Sequence, residues 1–421
     1  MTQTILTFIS KVKPDQADTL SKLLDQMGDN PETNSYIPFR SLKRLHFASL
    51  VLHQSSDYGP YLVFENNFDG TLDEYLPDLY QQAANGLHQI YGYCQDYSVA
   101  SASDRQGLLN YLRAHVVYPN AYHIGNTGRS AERILQEGDL RTALELQADD
   151  LVKNGKAQSA QSAATALQQY VRTDSKWAWA VPTIGPREPF QQKFLAWSRL
   201  IFFGLLAIVL LPVLLVPAAV WLLVLRYKES TDPVLNDSAD AGNVEQLLDK
   251  ENRTRSVQNH MASITIVKPG WLRRSTLWLV LWAVNLLARA RATHGELSGI
   301  PSIHFAHWSM IDDGRRLLFL SNFDGSWENY LDDFIDKAAS GLTGVWSNTL
   351  NFPRTYFLLW GGARDGPRFK AIARDMQTVT NVWYSAYWDL TVQGIDNSSS
   401  IREDLLNVTG SATASALLQR L

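Results

Sequence analysis

Apolar and polar positions along the chain form a pattern that occurs twice. Ile5-Leu6-Thr7-Phe8-Ile9 reads as a strand, Lys13-Pro14 closes it, and a helix-like pattern follows. Leu45-His46-Phe47-Ala48 opens a second strand, and a hairpin leads to Tyr61-Leu62-Val63-Phe64. Asn67-Phe68-Asp69-Gly70 then ends the strand before another helical stretch. In the second half, Ile264-Thr265-Ile266-Val267 precedes Lys268-Pro269, and a shorter hairpin joins Ile303-His304-Phe305-Ala306 to Arg316-Leu317-Leu318-Phe319. Asn322-Phe323-Asp324-Gly325 then runs into Ser326-Trp327-Glu328-Asn329-Tyr330-Leu331. Further on, Ala83-Ala84-Asn85-Gly86-Leu87 answers Ala338-Ala339-Ser340-Gly341-Leu342, and Tyr118-Pro119 with Tyr122 answers Phe352-Pro353 with Tyr356. A length change confined to a hairpin is what a duplicated unit tolerates.

Each copy reads β-α-β-β-α-β, the split βαβ or ferredoxin-like order, in which an antiparallel sheet carries its helices on one face. The expected fold is therefore α+β, with two tandem ferredoxin-like units whose open sheet faces cover each other as a pseudo-dimeric α/β barrel. Residues 1–180 form the first unit, 191–228 a membrane anchor, 229–258 a polar linker, and 259–421 the second unit with a basic amphipathic first helix.

The anchor is uncharged from Leu200 to Leu225, long enough to span a bilayer core of about 30 Å. Pro212 and Pro217 divide it into pieces too short to span. Lys193 and Arg199 precede it and Arg226 and Lys228 follow, so the positive-inside bias selects no orientation. A single span would also part the two units. A Pro-bent hairpin in one leaflet is the preferred reading, ahead of a true transmembrane helix. A second membrane contact is expected in the acid-free stretch after Asn252, where Trp271, Trp278 and Trp282 accompany Arg273, Arg274, Arg289 and Arg291 around an apolar middle. That composition suits a helix lying in the headgroup region of anionic lipid, and equally the first helix of the second unit, which has two faces.

Composition narrows the classes. Hydrophobic residues make up 45% and charged residues 19%, too apolar for a disordered chain. A net charge of -4 gives no reason to expect nucleic acid. Cys94 is the single cysteine, no Cys/His cluster has zinc spacing, and Met1 to Ser10 does not read as a signal peptide. The expected placement is membrane-associated, with the soluble units cytoplasmic. Walker, Gly-x-Gly-x-x-Gly, Gly-x-Ser-x-Gly and His-Glu-x-x-His motifs are missing, and no metal site is expected.

The residues with both chemical capacity and internal repetition are His46 with Asp69 and His304 with Asp324. Strand alternation puts His46 on the face of Ala48 and His304 on that of Ala306, with His307 opposite. Gly70 and Gly325 permit a left-handed turn, Thr71-Leu72-Asp73-Glu74 is a capping box, and the two aspartates belong beside helix N-termini. Pro77 suggests a late or kinked helix in the first copy. Its absence from the second, with Trp308, Trp327 and Trp346 nearby, favours His304 and Asp324 over His46 and Asp69 if the pocket is catalytic; the alternative is a structural role, with core histidines bonded to backbone and aspartates at helix N-termini. Gly125-Asn126-Thr127-Gly128-Arg129 reads as a turn before a helix from Ala131, Glu229 to Gln258 as a linker, and Asp396 to Ser400 as a loop.

From Asp onward, Asn66-Asn67-Phe68-Asp69-Gly70 and Ser321-Asn322-Phe323-Asp324-Gly325 resemble the Gly-x-x-Asp-Gly motif of dye-decolorising peroxidases. These are haem proteins of two ferredoxin-like units, and the resemblance implies haem as a cofactor and peroxide chemistry at the aspartate. Over most of its length, with Leu331-Asp332-Asp333-Phe334-Ile335-Asp336-Lys337 and Trp383-Tyr384-Ser385-Ala386-Tyr387, the chain resembles an uncharacterised bacterial family of tandem ferredoxin-like proteins. Related segments of that family lie beside peroxidase-type domains. The expected function is a membrane-attached protein binding or acting on a hydrophobic or haem-like ligand. The alternative is a non-catalytic scaffold that tethers a partner enzyme to anionic lipid.

Overall fold

A computed structural model of the chain describes residues 2–55, 58–98, 104–181, 190–231, 241–253, 257–291, 297, 299–350 and 352–421. The first half supplies β1 (Gln3–Lys11), α1 (Ala17–Gly28), β2 (Leu45–Ser55), β3 (Tyr58–Asp69), α2 (Leu72–Tyr91), α3 (Arg105–Ala114), β4 (Val116–Val117), β5 (Ala121–Ile124), α4 (Ala131–Lys153) and α5 (Ala160–Thr173). The apolar α6 (Phe190–Thr231) and α7 (Ala241–Arg253) follow. The second half supplies β6 (Gln258–Ile266), α8 (Trp271–Arg291), β7 (Ile303–Ile311), β8 (Arg316–Asp324), α9 (Trp327–Trp346), β9 (Thr355–Tyr356), β10 (Trp360–Gly361), α10 (Gly366–Asp375), β11 (Gln377–Thr378), β12 (Val382–Ser385), α11 (Val392–Leu406) and α12 (Ser411–Arg420).

Two five-stranded antiparallel sheets result, in the orders β12-β2-β3-β1-β4 and β11-β6-β8-β7-β5. Each ends in a strand from the other half of the chain: β12 pairs with β2 from Val382↔Leu50 to Ser385↔Phe47, and β5 with β7 from Ala121↔Trp308 to Ile124↔Phe305. Leu20, Leu24, Leu76, Leu79 and Leu108 of α1 to α3 close one face of the first sheet over Leu6, Phe8, Leu50 and Phe64. Leu277, Leu281, Tyr330, Phe334 and Phe369 of α8 to α10 do the same for the second over Trp308, Leu317 and Phe319. The remaining faces stack on each other through Val51 and Val63 against Ile264, Leu318 and Leu320. Each such side chain contributes about 1.5–3 kcal/mol on leaving water. The α4, α5, α11 and α12 helices form a separate cluster around Leu144, Leu167, Ile401 and Leu417.

Several expectations are corrected. The strands lie in two separate five-stranded sheets and a two-stranded β9-β10 hairpin, and they do not close into a barrel. The apolar segment is not a hairpin: α6 runs unbroken through Pro212 and Pro217, about 63 Å at 1.5 Å per residue. A proline removes one helical hydrogen bond without forcing a reversal. The stretch read as a linker contains α7, which Lys250 ties to Asp25 at 3.7 Å and Glu251 ties to Arg374 at 2.6 and 3.1 Å. Asp396 to Ser400 lies inside α11, which Thr391 caps by accepting from Gly394 N. Pro77 does not delay α2, whose Thr71–Glu74 capping box is formed; the break falls in α9, where Ala338 has φ -131 and ψ 16.

The two helices that follow the Asp-Gly turns are packed unequally. A Cβ added to Gly86 would lie 2.0 Å from the carbonyl oxygen of Tyr36, whereas one at Gly341 meets nothing within 4 Å. Gly86→Ala is expected to lower stability by about 1–3 kcal/mol through backbone overpacking. Gly341→Ala should be neutral or slightly stabilising, since alanine favours helix. Urea unfolding of both variants checks the contrast.

Candidate functional site

The duplicated histidines are placed by β-bulges. Pairing skips from Leu45↔Phe68 to Phe47↔Asn67 and from Ile303↔Phe323 to Phe305↔Asn322, so His46 and His304 are the extra residues. The skip breaks alternation. His46 therefore shares the inter-sheet side with Phe47 rather than the side of Ala48, and His304 shares it with Phe305 and His307, which corrects both expectations.

There each histidine meets its aspartate. His46 Nε2 lies 3.1 Å from Asp69 Oδ1, and His304 Nε2 lies 2.7 Å from Asp324 Oδ1. The second oxygens accept the first backbone N–H of α4 and of α11, Ala131 N and Val392 N, both at 2.8 Å. Each aspartate thus binds the N-terminus of a helix distant in sequence, where the helix dipole stabilises negative charge. Tyr387 OH bonds His46 Nδ1 at 2.8 Å, and its ring packs on His46, Phe47 and His304. His304 Nδ1 has no hydrogen-bond partner among the described residues. The four residues are brought together in a packed joint.

A second polar cluster, centred on Glu65, lies between the sheets. Glu65 is fully buried; its Oε2 accepts from Ser49 and from His260 Nε2, both at 3.0 Å, and its Oε1 accepts from Asn67 at 2.9 Å and Asn322 at 3.1 Å. Burial pushes the carboxyl pKa upward. The hydrogen bond and charge of His260, the charge of His307 and the Asn67 bond outweigh it and hold the group at about 2. His307, bonded through Nε2 to Thr7 Oγ1 at 3.2 Å, is lowered to about 4, mainly by burial. His53 is also lowered to about 4, by burial and then by Arg316.

This cluster reaches a cleft of about 480 Å³ lined by Asn259, His260, Thr380, Trp383, Tyr384 and Trp388, with Lys250 and Glu251 of α7 on one wall. His260 Nδ1 bonds Thr380 Oγ1 at 2.8 Å, and Trp383 Nε1 donates to Asn322 Oδ1 at 2.8 Å. An ionised Glu65 requires a proton on His260 Nε2, and the other ring nitrogen faces the Thr380 hydroxyl. The cleft thus offers aromatic faces beside a small polar relay. None of His46, Asp69, His304 or Asp324 lines it. Composition did not point to Glu65, His260 and Thr380. The usable signal was an acid at the centre of a strand apolar on both faces, because a charge there must be paired.

The cleft does not fit an axially ligated haem. Both ring nitrogens of its lining histidine, His260, are engaged, and His46 and His304 give their Nε2 atoms to aspartates. No group of three or more metal-binding side chains occurs among the described residues.

On α8, Trp271 and Trp278 are exposed, and Trp282 is half-buried against Phe203 with ring centroids 5.0 Å apart. Arg274 donates to Asp313 O, and Arg289 donates to Tyr122 OH and stacks on its ring. Arg273 is a correction: it is buried beside Asn348 and cannot meet lipid. Arg291 ends the helix, and its side chain lies outside the described residues. Comparison with family models, with curated proteins and with solved structures finds no match for this chain.

Two predictions follow from this geometry. Asp324→Asn should cost about 0.5–2 kcal/mol, the scale of a lost helix cap or terminal charge, as a lower thermal midpoint. The second concerns acid. His307 and His53 bind a proton less readily folded than unfolded, so the stability they allow is full above about pH 6.5 and falls as pH drops through about 4. Glu65 adds a loss between about 4.5 and about 2, where the unfolded carboxyl protonates first. The wild-type melting temperature should drop between about pH 7 and 4.5, and His307→Gln should flatten that slope.

Proposed function

We propose that this chain is a membrane-attached binding protein: two tandem ferredoxin-like units, coupled by exchanged edge strands, that hold an apolar aromatic small molecule in the cleft beside Glu65, His260 and Thr380. The observation that carries the membrane part is α6. From Phe194 to Thr231 its most apolar window has a mean hydropathy of 2.9, and none of that window is buried. An exposed surface of this size and apolarity needs a solvent other than water. The unit assignment rests on the partial orders β4-β1-β3-β2 and β11-β6-β8-β7, which match element for element and are those of ferredoxin-like sheets.

Two features support the ligand part. Trp383, Tyr384 and Trp388 offer ring faces to a flat apolar molecule, and Asn259, Thr380 and Lys250 offer polar groups to orient it. Burial, then Glu32, pushes the Tyr384 hydroxyl up to about 12, so it stays a neutral donor. Peroxide chemistry through haem is not part of this reading.

Native mass spectrometry of the full chain in nanodiscs tests the ligand part. A small molecule should be retained by the wild type and lost at least about tenfold in Trp388→Ala, whose exposed ring can be removed without opening the core. An equally empty cleft in both would leave a membrane-tethered scaffold. Topology is tested with single cysteines at Asn30 and Asp336, both on exposed surface. The native Cys94 does not interfere, because burial pushes its thiol up to about 12. Both sites should label from the same side of sealed vesicles, and opposite-side labelling would refute this arrangement.

A further inference from the structure

Between α9 and α10 the chain makes a short hairpin, β9 to β10, whose tip breaks the usual backbone rules. Phe357 and Leu358 have φ of 51° and 62°, a left-handed conformation that bulky side chains avoid. The last turns of α6 hold it there. The Glu229 side chain is buried and accepts from Thr355 Oγ1 at 2.8 Å, Phe357 N at 2.8 Å and Leu358 N at 2.9 Å. Arg226 donates to Thr355 O at 3.2 Å, lies 3.4 Å from Glu229 and stacks on the Tyr356 ring. This machinery displays apolar side chains to the outside: Tyr356 is 53% exposed, Phe357 40%, Leu359 47% and Trp360 53%.

The tip adjoins the other apolar surfaces. Trp221 of α6 packs on Trp271 at 5.2 Å and donates to Thr276, while Phe203, more than four turns earlier, packs on Trp282. Helix α6 therefore lies along α8 instead of leading away from the body. Charge marks the same surface. Asp and Glu are missing from Gln191 to Lys228, from Asn252 to Gly295 and from Lys337 to Arg364, and these stretches contain α6 up to its last turn, α8 and the hairpin. Arg226, Lys228, Arg274 and Arg354 lie within them. An apolar surface with interfacial tryptophans and a basic rim is complementary to one leaflet of an anionic bilayer.

Resting on the membrane attachment proposed above, we infer that the Tyr356–Trp360 hairpin is a membrane-inserting wedge, clamped by Glu229 and Arg226, that with the outer faces of α6 and α8 seats the protein on a single anionic leaflet. An environment-sensitive nitrobenzoxadiazole dye on Leu359→Cys, Val213→Cys or Asn30→Cys of the full chain tests this, with vesicles of equal parts phosphatidylglycerol and phosphatidylcholine. Positions 359 and 213 should shift to the blue and be quenched by lipids spin-labelled near the headgroup, and position 30 should do neither. Trp360→Ser, a surface change, should lower vesicle partitioning several-fold. Glu229→Gln should weaken the shift at 359 and leave that at 213. A buried dye at 213 with a water-exposed dye at 359 overturns the wedge and spares membrane attachment. Water exposure at both positions overturns both.

Discussion

The hydrogen bonds of β12 on β2 and of β5 on β7 constrain everything else, because each sheet is completed by a strand from the other half of the chain. Strands pair only within about 5 Å of each other, so no bilayer can separate the two halves. The α6 helix connecting them cannot cross a membrane once while that pairing exists. It is nonetheless continuous, and its prolines do not bend it into a hairpin. Under the membrane attachment proposed above, the remaining geometry is a helix that starts and ends on the same side, lying along α8 through the contacts of Phe203 and Trp221.

The same exchange explains the paired His–Asp joints. Where β12 leaves the first sheet, the chain turns into α11, and where β5 leaves the second, it turns into α4. Asp324 and Asp69 bind the first N–H of these helices. Each carboxylate therefore joins a strand end in one sheet to the helix following the other sheet's borrowed strand, with a bulged histidine on its other oxygen. A residue repeated in sequence for this reason marks a structural joint, and repetition alone is weak support for catalysis. The Glu65 cluster is different. In the equivalent register Leu320 replaces Glu65 and Ile5 replaces His260, so the fold is satisfied by apolar residues there. A buried charge that the architecture does not require, connected through His260 and Thr380 to a cleft, is the better place to look for chemistry.

The strands, the Asp-Gly turns and the Thr71–Glu74 cap were legible because each depends on local pattern: alternation, a left-handed glycine, a hydroxyl three residues before a glutamate. The faces of His46 and His304 were not, since a bulge changes the period by one residue without a change in composition. Helix α7 was hidden by its polar sequence; Leu247 is its buried anchor, and the pairs to Asp25 and Arg374 are tertiary. Arg273 looked like its basic neighbours, but helical phase turns it inward beside Asn348.

Glu229 shows how far local reading can mislead and what a structure adds. In sequence it opens a polar stretch after an apolar helix, the position of a solvated charge. In the fold its carboxylate is enclosed, and satisfying it requires donors within about 3 Å. Those donors come from a backbone that, without them, would relax out of the left-handed region and draw Phe357 and Leu358 back. The hydrogen bonds from Thr355, Phe357 and Leu358 to the carboxylate thus oppose both its desolvation cost and the conformational cost of the tip. A strained turn that displays large apolar groups is disfavoured in water and favoured at a lipid surface. The clamp therefore makes sense as part of the face on which α6 and α8 already lie.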